Sequence, residues 1–226
     1  MQIIKLDATP STNAWLKEFW QKKSSDDWVV VWASDQTGGR GQQGTVWNSE
    51  AGKNLTISVL KKFNALGTEN QFYLNIAVSL AVYETLKALN IPEICVKWPN
   101  DIMSGSKKLC GILIENMVKA RNISASVIGI GLNVNQEEFP GLPQATSMMN
   151  ATGKSFDLIE VLYRLLEQLK IYLESLETVD FIKLKNSYQQ GMYRINTLSR
   201  FKLADGTMVR GRNYRGRRIG QIKRTY

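Results

Sequence analysis

The sequence predicts an α+β protein in which a β-sheet carries helices mainly on one face and is followed by a short β appendage. Strand-like and helix-like runs are mixed without the strict βαβ alternation of a wholly parallel sheet. Two segments, 70–89 and 156–176, place apolar residues at helical spacing. The chain has 226 residues, 43% of them hydrophobic, enough for one domain with a proper core plus at most a small addition. The expected division is 1–190 for the main domain and 191–226 for the appendage.

Taken in order, Ser11, Thr12 and Asn13 precede AWLKEFW, where a hydroxyl or amide can cap a helix running to about Gln21. Residues 28–34 are a mainly apolar strand. Residues 35–53 are glycine-rich and polar, too long for a hairpin turn, and loops of that length without structure are usually functional or mobile. In 54–60, Leu55, Ile57 and Val59 alternate with Thr56 and Ser58, which is a strand pattern. Residues 70–89 form a helix with Phe72, Ile76, Leu80 and Tyr83 on one stripe and Ala77 and Ala81 on the next, so it is covered on two sides.

Residues 97–101 read KWPND and 107–115 read KKLCGILIE. Pro99 lacks an amide donor and restricts Trp98, so the chain turns there and presents Lys97, Asn100 and Asp101 together between strand ends at 94–96 and 109–114. Residues 124–130 are a strand running into GIGLNVN, and 139–150 are an irregular connection. Helical periodicity returns through Ile159, Leu162, Tyr163, Leu166 and Leu169, and a second helix covers about 179–188. From Thr197 the pattern is strand-like, with Asp205-Gly206 as a hairpin signal.

Composition excludes several chemistries. With no histidine, Ser-His-Asp and Cys-His nucleophilic catalysis are out, and a protein-built zinc site is disfavoured. The remaining kit of Lys, Arg, Asp, Glu and backbone dipoles suits reactions run by positioning and charge stabilisation, such as phosphoryl or nucleotidyl transfer. Cys95 and Cys110 lie in apolar strand-like runs and read as small packed hydrophobes. Neither a membrane span nor a signal peptide is visible, so the expected location is cytoplasmic. Net charge is +9, but residues 191–226 hold ten basic residues against one acid, which leaves the first 190 balanced. The basic tail allows a nucleic-acid-binding module as a rival reading, recognisable by steeply salt-dependent binding.

Residues 38–47, GGRGQQGTVW, formally satisfy GxGxxG through Gly39, Gly41 and Gly44. A dinucleotide site needs a helix to open at the last glycine, whereas this segment runs through a turn into a strand. What remains is a loop of exposed amides around Arg40, able to cradle a phosphate or carboxylate, with Trp47 offering a flat face to a purine.

Four ordered blocks, PSTN at 10–13, DQTGGRGQQGTVWNS at 35–49, KWPNDI with KKLCGILIE across 97–115, and GIGLNVN at 129–135, resemble the biotin–protein ligases. The resemblance implies a central mixed sheet similar to the catalytic domains of class II aminoacyl-tRNA synthetases and lipoate ligases. It implies a two-step reaction with MgATP: biotin, the substrate, becomes biotinyl-5′-AMP, then passes to a lysine of a biotin carboxyl carrier protein domain. Ser11, Thr12 and Gln36 match positions that meet the ureido ring, and Gly39 and Arg40 match the loop that closes on the ligand. Lys108 matches the lysine at the reacting carboxylate and α-phosphate, with Gly111 allowing close approach; Lys108 and Arg40 are the expected catalytic pair. Trp47, Lys97, Asn100, Asp101 and Asn133 match nucleotide positions, Asp101 also standing as the candidate Mg2+ ligand. Glu115 divides evenly between a site role and an ordinary strand-end carboxylate.

Departures accompany the match. Gln42, Gln43 and Thr45 stand where many members carry arginines, which points to looser retention of the adenylate. No helix-turn-helix precedes the first block, so neither DNA binding nor a repressor role is expected, and no membrane association is. The strand pattern ends near 209–211 and gives way to an arginine-rich run, so the appendage is expected to be incomplete, disordered or docked on the body. Oligomeric state, a homodimer included, is left open. Lipoate or octanoate ligases are the nearest rival, disfavoured by the missing histidine.

Overall fold

The first strand that the structure contains is one that alternation does not announce. In this computed structural model, which describes all residues except 24–25, 177–180, 196, 203–205, 214–221 and 225–226, β1 spans Gln2–Thr9. Helix α1 (Thr12–Lys22) follows, and β2 (Val29–Gln36) lies parallel to β1. Parallel neighbours need a crossover, and α1 supplies it. Ser11 caps α1 by accepting from the Ala14 amide at 3.3 Å.

Between β2 and the next long strand, the glycine-rich segment folds into a two-stranded ribbon, β3 (Gly39–Arg40) against β4 (Val46–Trp47), rather than a structureless loop. Then come β5 (Leu55–Gly67), α2 (Gln71–Ala88), β6 (Ile94–Lys97), β7 (Asp101–Ser104), β8 (Lys107–Lys119) and β9 (Asn122–Leu132). The KWPND turn joins β6 to β7, a short strand not expected from sequence. The central sheet runs β1-β2-β5-β9-β8-β7-β6, parallel at β1–β2 and antiparallel elsewhere, so it is mixed.

Short α3 (Met148–Thr152) begins within the connection read as irregular and runs two residues past it, and α4 (Leu158–Ser175) and α5 (Phe181–Gln190) follow. Helices α2, α4 and α5 cover one sheet face around Leu55, Ile57, Val59, Ile112, Ile128 and Ile130. The other face carries α1, over a smaller core of Leu16, Val29, Val31, Leu60, Ala125 and Val127. Strands β10 (Leu198–Lys202), β11 (Met208–Asn213) and β12 (Ile222–Arg224) form a separate antiparallel sheet, so strand structure continues past 211. Asp205 of the expected turn, and most of the arginine-rich run expected to be disordered or docked, lie outside the described residues.

Candidate active site

Because α1 covers only part of its face, the sheet is left open beyond the helix N-terminus, and a cleft opens there. Register builds its floor. Thr56 of β5, Gly131 of β9, Gly111 of β8, Asp101 of β7 and Lys97 of β6 stand side by side in one crosswise row, with Ser58, Gly129 and Leu113 in the row below. Glycine is required where Trp47 lies flat: a Cβ at Gly111 would come within 2.9 Å of its ring, and one at Gly131 within 2.6 Å of its Nε1. A Cβ at Gly129 would overlap Asn13. Trp47 reaches this position because β4 pairs with Gly39, and its Nε1 is buried with no hydrogen-bond partner among the described residues.

One end of the cleft is neutral and polar. Gln36 Oε1 accepts from the Thr12 amide at 2.9 Å and stands 3.1 Å from Thr12 Oγ1, and Ser58 Oγ lies 2.7 Å from Thr12 Oγ1 and 2.6 Å from Asn13 Oδ1. Asn13 Nδ2 donates to Glu115 Oε2 at 2.8 Å, and Lys17 pairs with the other oxygen of that carboxylate. Glu115 therefore sits beneath the cleft, not among the residues that line it.

The other end is cationic. Lys108 Nζ is 2.7 Å from Asp101 Oδ1 and 5.6 Å from the centre of the Trp47 ring. Its backbone is tied on both sides, N to the Gln144 carbonyl at 2.6 Å and O to the Thr146 amide at 2.9 Å. Asn100 closes this end, its side chain donating to the Ile112 carbonyl at 2.8 Å. Arg40, Gln42 and Thr45 come from the ribbon above; the Gln43 side chain lies outside the described part. Thr45 is held locally, its hydroxyl donating to the Gln42 carbonyl at 2.8 Å.

Of the residues expected from sequence, Ser11, Thr12, Gln36, Arg40, Trp47, Asn100, Lys108 and Gly111 line this one cleft. Three sit just outside it: Gly39 backs Trp47, Asp101 pairs with Lys108, and Lys97 is exposed at the end of the floor row. Asn133 is buried behind the cleft, donating to the Thr146 carbonyl at 2.9 Å while its Oδ1 has no partner among the described residues. Asn13, Thr56, Ser58, Gly129 and Gly131 were not expected. Thr56 and Ser58 are readable in hindsight, since polar residues in a central strand that exclude solvent, at 5% and 0% exposure, must face partners.

The mixed sheet thus carries a cleft that is neutral and polar at one end and cationic at the other. The chain belongs to the biotin/lipoate A/B protein ligase family, whose model matches residues 6–133. It is 29% identical over 209 residues to the bifunctional ligase/repressor BirA of Bacillus spizizenii, covering 91% of this chain and 64% of that protein. It is also 29% identical over 190 residues to the biotin–[acetyl-CoA-carboxylase] ligase of Paracoccus denitrificans, covering 81% of this chain and 78% of the relative. The Aquifex aeolicus biotin protein ligase, solved in complex with biotin and ATP, superposes with a TM-score of 0.78 at 28% identity over 93% of this chain and 86% of that one. The chain thus spans less than two thirds of the length of the Bacillus relative it matches.

Proposed function

We propose that this chain is a biotin–protein ligase: it joins biotin to ATP as biotinyl-5′-AMP, releasing pyrophosphate, and passes the biotinyl group to a lysine of a biotin carboxyl carrier protein domain. The observation that carries this reading is the polarity of the cleft, with Thr12 and Gln36 at a neutral hydrogen-bonding end and Lys108 and Arg40 at a cationic one. Biotin has the matching polarity, a ureido ring at one end and a carboxylate at the other.

In the first step a carboxylate oxygen attacks the α-phosphorus and pyrophosphate leaves. Two anions have to meet, and Lys108 and Arg40 offset their repulsion while hydrogen bonds at the ring end fix the distance. In the second step the carrier amine attacks the activated carbonyl carbon and AMP leaves. Trp47 and Asn100 flank the cationic end and are the groups expected to meet the nucleotide. No cluster of three acidic, Cys or His side chains among the described residues could hold a metal ion. Magnesium fits here as part of the MgATP substrate, carried by the phosphates, with Asp101, whose Oδ1 pairs with Lys108, as the nearby carboxylate.

Incubation with labelled biotin, MgATP and a carrier domain should place label covalently on the carrier lysine and yield AMP. Label transferred from lipoate and not from biotin would move the chain to the lipoate side of its family.

A further inference from the structure

We propose that Asn13 and Ser58 are positioning residues that set the Thr12 hydroxyl as a hydrogen-bond acceptor toward the cleft, so that the ligand head must present an N–H there; this rests on the biotin reading above. Ser58 is fully buried and has two oxygens within reach, Asn13 Oδ1 at 2.6 Å and Thr12 Oγ1 at 2.7 Å. Each contact needs a proton between its oxygens, and the serine hydroxyl has one. Asn13 Oδ1 has none to give. Nor can the Asn13 amide be turned around, because Nδ2 donates to Glu115 Oε2 at 2.8 Å and to the Leu113 carbonyl at 3.3 Å, and both are acceptors only. Ser58 therefore donates to Asn13, and the proton in the Ser58–Thr12 contact comes from Thr12.

Gln36 Oε1 competes for that proton at 3.1 Å, but it already accepts the Thr12 amide at 2.9 Å, and the shorter contact to Ser58 takes the hydroxyl proton. What Thr12 Oγ1 has left for the cleft is a lone pair. The order runs outward to the surface, where Lys17 holds Glu115 in place, and Gly129 leaves the space that Asn13 occupies. A cyclic urea supplies the N–H that a lone pair selects, and a dithiolane ring supplies none.

The test is isothermal titration of the intact chain, Ser58→Ala and Asn13→Ala with biotin and with its two analogues in which one ureido N–H is replaced by CH2. Ser58→Ala removes the group that receives the Thr12 proton; Asn13→Ala frees the Ser58 proton to turn toward Thr12. In the intact chain one analogue should bind about tenfold more weakly than biotin, the range of one neutral hydrogen bond. In both variants that ratio should fall to about threefold, because the Thr12 proton is then shared between the cleft and Gln36 Oε1, 3.1 Å away. Purely structural damage weakens biotin and analogue alike, and an unchanged ratio in a variant that melts as the intact chain does overturns the inference. Normal biotin binding with unchanged ratios sinks this inference alone, whereas no biotin binding by the intact chain sinks the functional reading with it.

Discussion

Lys108 is fixed at its backbone by Gln144 and Thr146 and at its ammonium by Asp101, so its charge is placed before any ligand arrives. Preplaced charge costs no reorganisation when negative charge builds on the reacting oxygens. Lys108→Ala should therefore lower the rate of adenylate formation by about 10²–10³-fold, the size seen when one stabilising donor is removed. Pyrophosphate release on mixing with biotin and MgATP measures this, and a rate within twofold of the unaltered chain would remove Lys108 from the chemistry. At Gly131 the argument is steric. Alanine there would drive Trp47 off the floor, so Gly131→Ala should weaken ligand binding more than it lowers melting temperature, a split that titration and thermal denaturation together resolve.

Among the elements, α5 supports the KWPND turn from below. Tyr188 is fully buried, packs edge-on to Phe72 at 6.3 Å and directs its hydroxyl to the Pro99 carbonyl at 3.4 Å. Just past the helix, the Gly191 carbonyl accepts from the Val96 amide at 2.7 Å and Tyr193 N donates back to Val96 at 2.9 Å, holding β6 where it enters the turn. Tyr188→Ala should cost about 3–5 kcal/mol, as large aromatic truncations in cores do, and Tyr188→Phe no more than about 1 kcal/mol, both measurable by denaturant unfolding. None of this contact is written locally, since α5 and the turn are some ninety residues apart. Helices α1, α2, α4 and α5 were legible because 3.6-residue periodicity survives wherever one face is buried, and β2, β5, β8 and β9 because their apolar runs are long; the five-residue α3 is too short to show a period. Strand β1 was not, since Ile3 and Ile4 break alternation on an exposed edge; β7 and the β3–β4 ribbon were not, because four- and two-residue strands exist only through their partners. The same contrast holds in the site: ordered motifs pointed to Thr12, Gln36, Lys108 and Gly111, while Gly131 beside Gly111 and the buried Ser58 depend on register between distant strands.

For the molecule as a whole, titration follows from which groups are buried. No histidine is present, so no side chain has an ordinary pKa between about 5 and 8. On the alkaline side burial raises several groups. The Cys95 thiol is pushed from 9.0 to about 11, by burial first and by the Glu93 charge second. Burial also pushes up Cys110, despite the opposing charge of Lys108, as well as Tyr188 and Tyr172, the last with help from Glu84. In each case the folded pKa lies above the unfolded one, so the folded chain holds protons that the unfolded chain releases. The stability tied to these groups is full below the unfolded values of 9.0 and 10.0 and is lost as pH climbs through the folded values. Melting temperature should accordingly stay level from about pH 6 to 8 and fall steadily above about pH 9. Replacing the largest buried phenol and the most buried thiol, in the double variant Tyr188→Phe and Cys110→Ala, should flatten that alkaline fall even though it lowers melting temperature at neutral pH. An equally steep fall in the double variant, measured by thermal denaturation across the same range, would assign the alkaline sensitivity to other groups.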